Sequence, residues 1–183
     1  PAAANSDRLC AKFGSNNVVS FGLVLIGAAM LIFTTVDGET EYSILALIFF
    51  LIGVGMGLTM APSTTMVMDS IPHDKAGVGS ATNDASREVG GAFGIAIVGS
   101  AVNEIYQREL VVPPGLEAQS GIVSESFPAA IRIGNELIAQ GNMLGMELIE
   151  NAQHAFVEGM TGAAAISSLV AIVNAVLVKL YMP

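Results

Sequence analysis

The chain has no tryptophan, a single cysteine and only seven lysines and arginines among 183 residues. One cysteine, Cys10, excludes an internal disulfide, and neither it nor His73 or His154 has neighbours at metal-ligand spacing, so no metal and no cofactor are expected. The scarcity of basic residues, with a formal net charge of −9, excludes the basic face that nucleic acid requires. Charge of either sign is sparse, at 13% of residues against about a quarter in soluble domains. No serine, threonine or cysteine stands in a pattern that would pair it with a base, and no glycine-rich loop has the spacing that cradles phosphate. An enzyme is therefore not expected. The opening residues lack a basic stretch running into a short apolar one, so no cleavable signal peptide is read there.

Apolar residues fill the space that charge leaves, at 52% of the chain. Phe13 to Val36, Tyr42 to Met68 and Gly159 to Val178 each contain no charged residue. About 18 or more such residues suffice to cross a hydrocarbon core of roughly 30 Å. These runs and a fourth with a polar front end predict an all-α, polytopic membrane protein in the cell (inner or plasma) membrane, with the lipid bilayer as its solvent. The expected order is a cytoplasmic loop at 1–17, spans at 18–35 and 44–62 around an extracytoplasmic loop at 36–43, a cytoplasmic loop at 63–76, a span at 77–102, an extracytoplasmic loop at 103–158, a span at 159–180 and a cytoplasmic end at 181–183. The sidedness follows from Arg8, Lys12, Lys75 and Lys179, which fall on one side of that zigzag. The long loop is acidic, with eight glutamates against Arg108 and Arg132. In its later part Ile133, Leu137, Leu144 and Leu148 recur at near-helical spacing, although Gly141 and Gly145 weaken a helix there.

Two features inside the spans call for explanation. The run "GVGMG" places Gly53 and Gly57 four apart, a spacing that lets a second helix backbone approach closely in lipid, and Gly90, Gly91 and Gly94 suggest the same on the third span. The stretch "GSATNDASREVGGAFGIAIVGS" brings Asn83, Asp84, Arg87 and Glu88 onto one helix. Ser80, Asn83, Arg87, Gly91 and Gly94 share a face, and Asp84 stands at i, i+3 from Arg87. Either these groups form a solvated first turn or they face the interior of a bundle. Val89 to Asn103 is too short for a full crossing, which favours the interior. Ionisable groups at membrane depth face a bundle or water and find partners, so the four residues are candidate cavity or bundle-polar groups, with Arg87 and Asn83 reaching a carboxylate or carbonyl of a neighbouring helix.

The segment from Gly53 to Ser100 also resembles the closing part of a major facilitator superfamily transporter, in its fourteen-helix drug:proton antiporter (EmrB/QacA-like) branch. The matching pattern is a glycine-rich helix ending in Ala61-Pro62, a loop with Pro72, then Ala76 to Ala81, Asn83, Arg87 and Gly90 to Gly94. "SDRLCAKFG" is similar to the superfamily's basic loop motif and "AFVEGM" to the entry of the last helix. Ala11 stands where that motif usually has Asp, Ser15 and Asn16 replace its basic pair, and Glu88 takes a position often held by Gln. The resemblance implies a carboxy-terminal fragment holding the last four of fourteen helices. It further implies amino-terminal helices of the same transporter as partner, and a small-molecule substrate exchanged for protons. A complete four-helix exporter is the rival, but the span 18–35 lacks the deep carboxylate such proteins use. An accessory subunit that captures a partner through a tightly folded acidic loop is the other.

Overall fold

The computed structural model describes residues 2–181, with the side chains of residues 2–5, 7 and 73 set aside. It is all-helical over those residues: α1 (Ala2–Phe13), α2 (Ser15–Phe33), α3 (Tyr42–Asp69), α4 (Ala76–Glu109), α5 (Ser120–Glu125), α6 (Phe127–Ala139) and α7 (Leu144–Tyr181). Four of these, α2, α3, α4 and α7, are long and apolar enough to cross a membrane, at 19, 28, 34 and 38 residues. At 1.5 Å per residue α4 and α7 run to roughly 50 and 57 Å, well beyond a hydrocarbon core of about 30 Å. The chain is a multi-pass membrane protein. Its contacts divide into two compact units, one of residues 1–33, 40–96 and 164–183, the other of 34–39 and 97–163.

In the first unit, residues 2–17 of the expected 1–17 loop are not a loop. They form α1 and the start of α2, joined at Gly14, whose φ of 84° is a left-handed conformation that a Cβ would strain. The Gly14 N–H donates to Cys10 O at 2.9 Å and closes the end of α1. α2 and α3 pack as an antiparallel hairpin, with Gly22 against Gly55. A Cβ on Gly55 would lie 2.7 Å from Gly22 O, and one on Gly22 2.8 Å from Gly55 O, so the two backbones touch. Ile48, Gly55, Leu58 and Pro62 are the buried residues of α3 and form its inward stripe. α7 joins α2 through a buried hydrogen bond, Ser168 Oγ donating to Gly27 O at 2.8 Å. A hydroxyl between two helix backbones supplies the directionality that lipid, as apolar as the side chains, does not.

The second unit replaces the expected 103–158 loop with packed helices. α4 runs on to Glu109, and α7 begins at Leu144, fourteen residues ahead of the expected end of that loop at 158. Tyr106, Leu116, Val123, Ala130, Ile133, Leu148, Ala152 and Ala155 form a buried cluster. Phe127 stacks on Phe156 at 4.5 Å and meets Tyr106 edge-on at 6.4 Å. Tyr106 Oη donates to Val123 O at 2.9 Å, which satisfies the one polar atom that ring carries inward. Gly141, at φ 77°, is the left-handed residue that ends α6, with Gly141 N–H bonded to Ile138 O and Asn142 N–H to Leu137 O. Gly145 lies against Gly134 O, so α6 and α7 meet backbone to backbone. The two glycines that weaken the helical pattern are thus the corner and the contact of a helical hairpin.

Candidate polar site on the third long helix

α4 carries all four candidate polar residues within the first unit. Arg87 does not pair with Asp84. Its Nη2 reaches across to α3, donating to Thr64 Oγ1 at 2.5 Å and to Met60 O at 3.2 Å. Thr64 Oγ1 in turn donates to Met60 O at 2.8 Å. A hydroxyl has one proton and two lone pairs, so Thr64 gives its proton to the carbonyl and takes the guanidinium's. The three groups form a closed set around one oxygen of the α3 backbone.

The location follows from α3. Pro62 lies within the helix and brings no N–H for Leu58 O. Around it the hydroxyls are bound to their own helix: Thr59 to Gly55 O, Thr65 to Ala61 O and Ser70 to Met66 O. On α4, Thr82 and Ser86 do likewise, to Val78 O and Thr82 O. Such back-bonding is how Ser and Thr keep their donors satisfied away from water. Thr64 differs only in keeping an oxygen lone pair for Arg87. Thr64 and Met60 precede Asp69, the first charge on that side of α3, by five and nine residues. At 1.5 Å per residue the guanidinium is therefore roughly 7 to 13 Å further along the helix than that carboxylate.

Both partners of Arg87 are neutral, so its positive charge is not compensated there. Among the described residues the ion pairs are Arg108–Glu109 at 3.0 Å and Arg132–Glu136 at 3.6 Å, both in the second unit. Asn83 is half-buried, Asp84 and Glu88 are exposed, and among the described residues none of the three side chains has a hydrogen-bond or ion-pair partner. Beyond Arg87 the same face continues through Gly90, Gly91 and Gly94, where an added Cβ would meet nothing within 4 Å. Gly53 is equally open and exposed, and Gly57 is half-buried. The opposite face of α4, with Val78, Ala81, Thr82, Ala85 and Val89, lines a shallow uncovered groove. Close backbone approach occurs instead at Gly22–Gly55 and, in α2 against α7, at Gly27, where a Cβ would lie 3.0 Å from Ile172 Cγ1. Ile48, Gly55 and Pro62 stand seven residues apart, about two helical turns, but α3 is apolar all round, so nothing in the sequence marked that face as the buried one.

The family model of the major facilitator superfamily matches residues 2–95. Among curated proteins the chain is 24% identical over 168 residues to the multidrug efflux pump LfrA of Mycolicibacterium smegmatis, covering 91% of this chain and 33% of that protein. It is 26% identical over 180 residues to the tetracenomycin C resistance and export protein of Streptomyces glaucescens, 93% of this chain and 32% of that one. It is 28% identical over 155 residues to the methyl viologen resistance protein SmvA of Salmonella typhimurium, 81% of this chain and 30% of that one. The chain thus spans about a third of the length of the curated relatives it matches. No solved structure matches it at a significant level. The family match takes in just over half of the 183 residues and contains α1 to α3 with Arg87 and its partners, and the chain belongs to the major facilitator superfamily.

Proposed function

We propose that this chain is the carboxy-terminal part of a secondary-active transporter of the fourteen-helix branch. It would export small amphipathic compounds in exchange for protons across the inner or plasma membrane. The observation that carries the reading is the near full-length match of this chain to about a third of several proteins named for efflux or resistance. Transport in such folds needs two bundles rocking around a site at the midplane, and four spans supply part of one. In this reading the open face of α4, with Asn83, Asp84, Glu88 and the glycines after Arg87, turns toward the remaining helices and the translocation path. Arg87 holds α4 to α3 and keeps a positive charge at that face. Gly53, Gly57, Gly90, Gly91 and Gly94 are the close-packing positions for helices outside this chain.

A second reading, a membrane accessory protein without transport of its own, draws support from the packed core of residues 97–163, since a folded rather than loose segment suits capture of a partner. One observation separates the two. The open reading frame upstream of Pro1 is expected to continue through roughly ten further hydrophobic spans; a start codon directly before Pro1 would overturn the exporter reading. For the intact protein, methyl viologen and tetracenomycin C serve as first probes. Gene deletion is expected to lower the tolerated concentration of at least one, and adding that compound to acidified everted vesicles is expected to dissipate the pH gradient. Unchanged tolerance to both, or resistance without any proton movement, would remove drug export or proton coupling respectively.

A further inference from the structure

At the end of the first unit where α1 meets α2, two apolar grooves lie on either side of one ammonium group. The first, of about 400 Å³, is walled by Leu9 and Phe13 of α1, Val18 and Phe21 of α2, and Leu58 of α3, with Asn17 at its rim. The second, of about 260 Å³, runs between α2 and α7 along Val24, Ile172, Val176 and Leu180, with Lys179 and Ser20 in its wall. Asn17 links them. Its Nδ2 donates to Phe13 O at 2.7 Å, and its Oδ1 accepts from Lys179 Nζ. Lys179 keeps two further donors after that bond. Lys12 Nζ stands 5.3 Å from the centre of the Phe13 ring, and among the described residues no acidic side chain lines either groove. Ser20 is only 8% exposed, and its hydroxyl has no hydrogen-bond partner among the described residues. It sits three residues beyond Asn17, roughly 4.5 Å further along α2.

We infer that these two grooves, with Lys179 and Lys12 above them and Ser20 in the wall of the second, form a binding site for an anionic diacyl phospholipid. Each groove takes one acyl chain. The phosphate sits against the two ammonium groups, and the Ser20 hydroxyl donates to an ester carbonyl one step below it. The walls are open sideways, with Phe21, Val24, Val176 and Leu180 at 57%, 46%, 52% and 68% exposure, which suits a lipid entering from the bilayer better than a solute that must be enclosed. The cationic rim, with no carboxylate among its described residues, selects against a zwitterionic headgroup, and basic pockets between spans on the cytoplasmic side are where anionic headgroups lodge. The site is independent of the export reading, because occupancy is scored without transport.

The test uses the intact protein, expressed from its whole open reading frame and placed in nanodiscs of equal phosphatidylglycerol and phosphatidylcholine. Native mass spectrometry then counts the lipid retained. Phosphatidylglycerol is expected to be enriched, and Lys179→Gln to lower its retention about five-fold, the effect of one basic residue near an anionic surface. Lys75→Gln, outside both grooves, is expected to leave it unchanged. Val24→Phe, which fills the second groove without altering charge, is expected to reduce retention of phosphatidylglycerol as well. Raising salt on the wild-type protein is expected to release phosphatidylglycerol selectively, a readout that needs no variant to fold. Equal retention of the two lipids, wild-type retention in Lys179→Gln, or no retained lipid because other helices cover the grooves would each overturn the site.

Discussion

The contact between Arg87, Thr64 and Met60 O makes a quantitative claim: Arg87 and Thr64 act as one unit. Hydrogen bonds to a charged group contribute about 1.5–3 kcal/mol when well shielded. Arg87 is exposed, so solvent screening brings each of its bonds to about 1 kcal/mol. Arg87→Ala removes both bonds and should destabilise the α3–α4 contact by about 2 kcal/mol. Thr64→Val, nearly isosteric, removes the hydroxyl that bridges guanidinium and carbonyl and should cost about 1 kcal/mol. The double variant should cost about 2 kcal/mol rather than the sum of about 3, a coupling of roughly 1 kcal/mol. The assay is reversible unfolding of the intact protein in mixed micelles, with the four proteins of the cycle compared at fixed lipid. Additivity to within about 0.3 kcal/mol would refute the bridge and leave Arg87 as an exposed charge whose partner is elsewhere.

Alanine at Gly55 should destabilise the same protein by about 1–3 kcal/mol, because its Cβ meets the Gly22 backbone and overpacking there cannot relax by a side-chain rotation; alanine at Gly22, whose Cβ meets Gly55 O, should cost a similar amount, and neutral effects at both sites would refute the contact. Tyr106→Phe leaves Val123 O without its donor and should cost about 1–3 kcal/mol, read as faster limited proteolysis between residues 110 and 143. Glu117 titrates below the usual carboxylate range, first because its oxygens accept the Gly115 N–H at 3.0 Å and then through its own backbone N–H. A pKa lowered on folding means that this turn is stabilised at pH above the ordinary carboxylate value and loses that contribution as pH falls from there through the lowered, folded-state value. The protection of the Gly115 amide, measured against its intrinsic exchange rate at the same pH, should therefore fall on acidification, and Glu117→Gln should abolish that dependence.

The spans were legible because lipid acts on runs of residues: a stretch without charge from Tyr42 to Met68 needs no partner to declare itself. That Arg87 reaches another helix was legible for a related reason. That it would find a carbonyl or carboxylate on a neighbouring helix followed from the expense of an unpartnered charge. Which acceptor it finds was not legible. Thr64 and Met60 are reached only because α3 packs on α2 through Ile48, Gly55 and Leu58, and that rotation places the 60/64 edge toward α4. A rule of glycines four apart chose Gly53 and Gly57 because it reads spacing and not helix phase.

The second unit shows the converse. Between Asn103 and Glu158 the residues are too charged for lipid and carry Pro113, Pro114, Gly115 and Gly141, which read as punctuation of a loop. In the structure the same residues are corners. Gly115 and Gly141 adopt φ of 100° and 77°, and between them short helices turn Val123, Ala130 and Ile133 inward on Tyr106 and Leu148. Each of these helices carries too few apolar residues to be seen by periodicity, and only their sum makes a core. α7 makes the point within one element: Leu148, Ala152 and Ala155 are buried against protein with Glu147, Glu150 and Glu158 on its other sides, and from Gly159 to Val178 it carries no charge at all. One helix thus carries an apolar stripe against charged sides before Gly159, and after it an apolar surface whose buried face is marked only by small residues, Ala164, Ser168 and Ala175. Segmenting by charge alone therefore cuts at Gly159 a helix that runs unbroken from Leu144 to Tyr181.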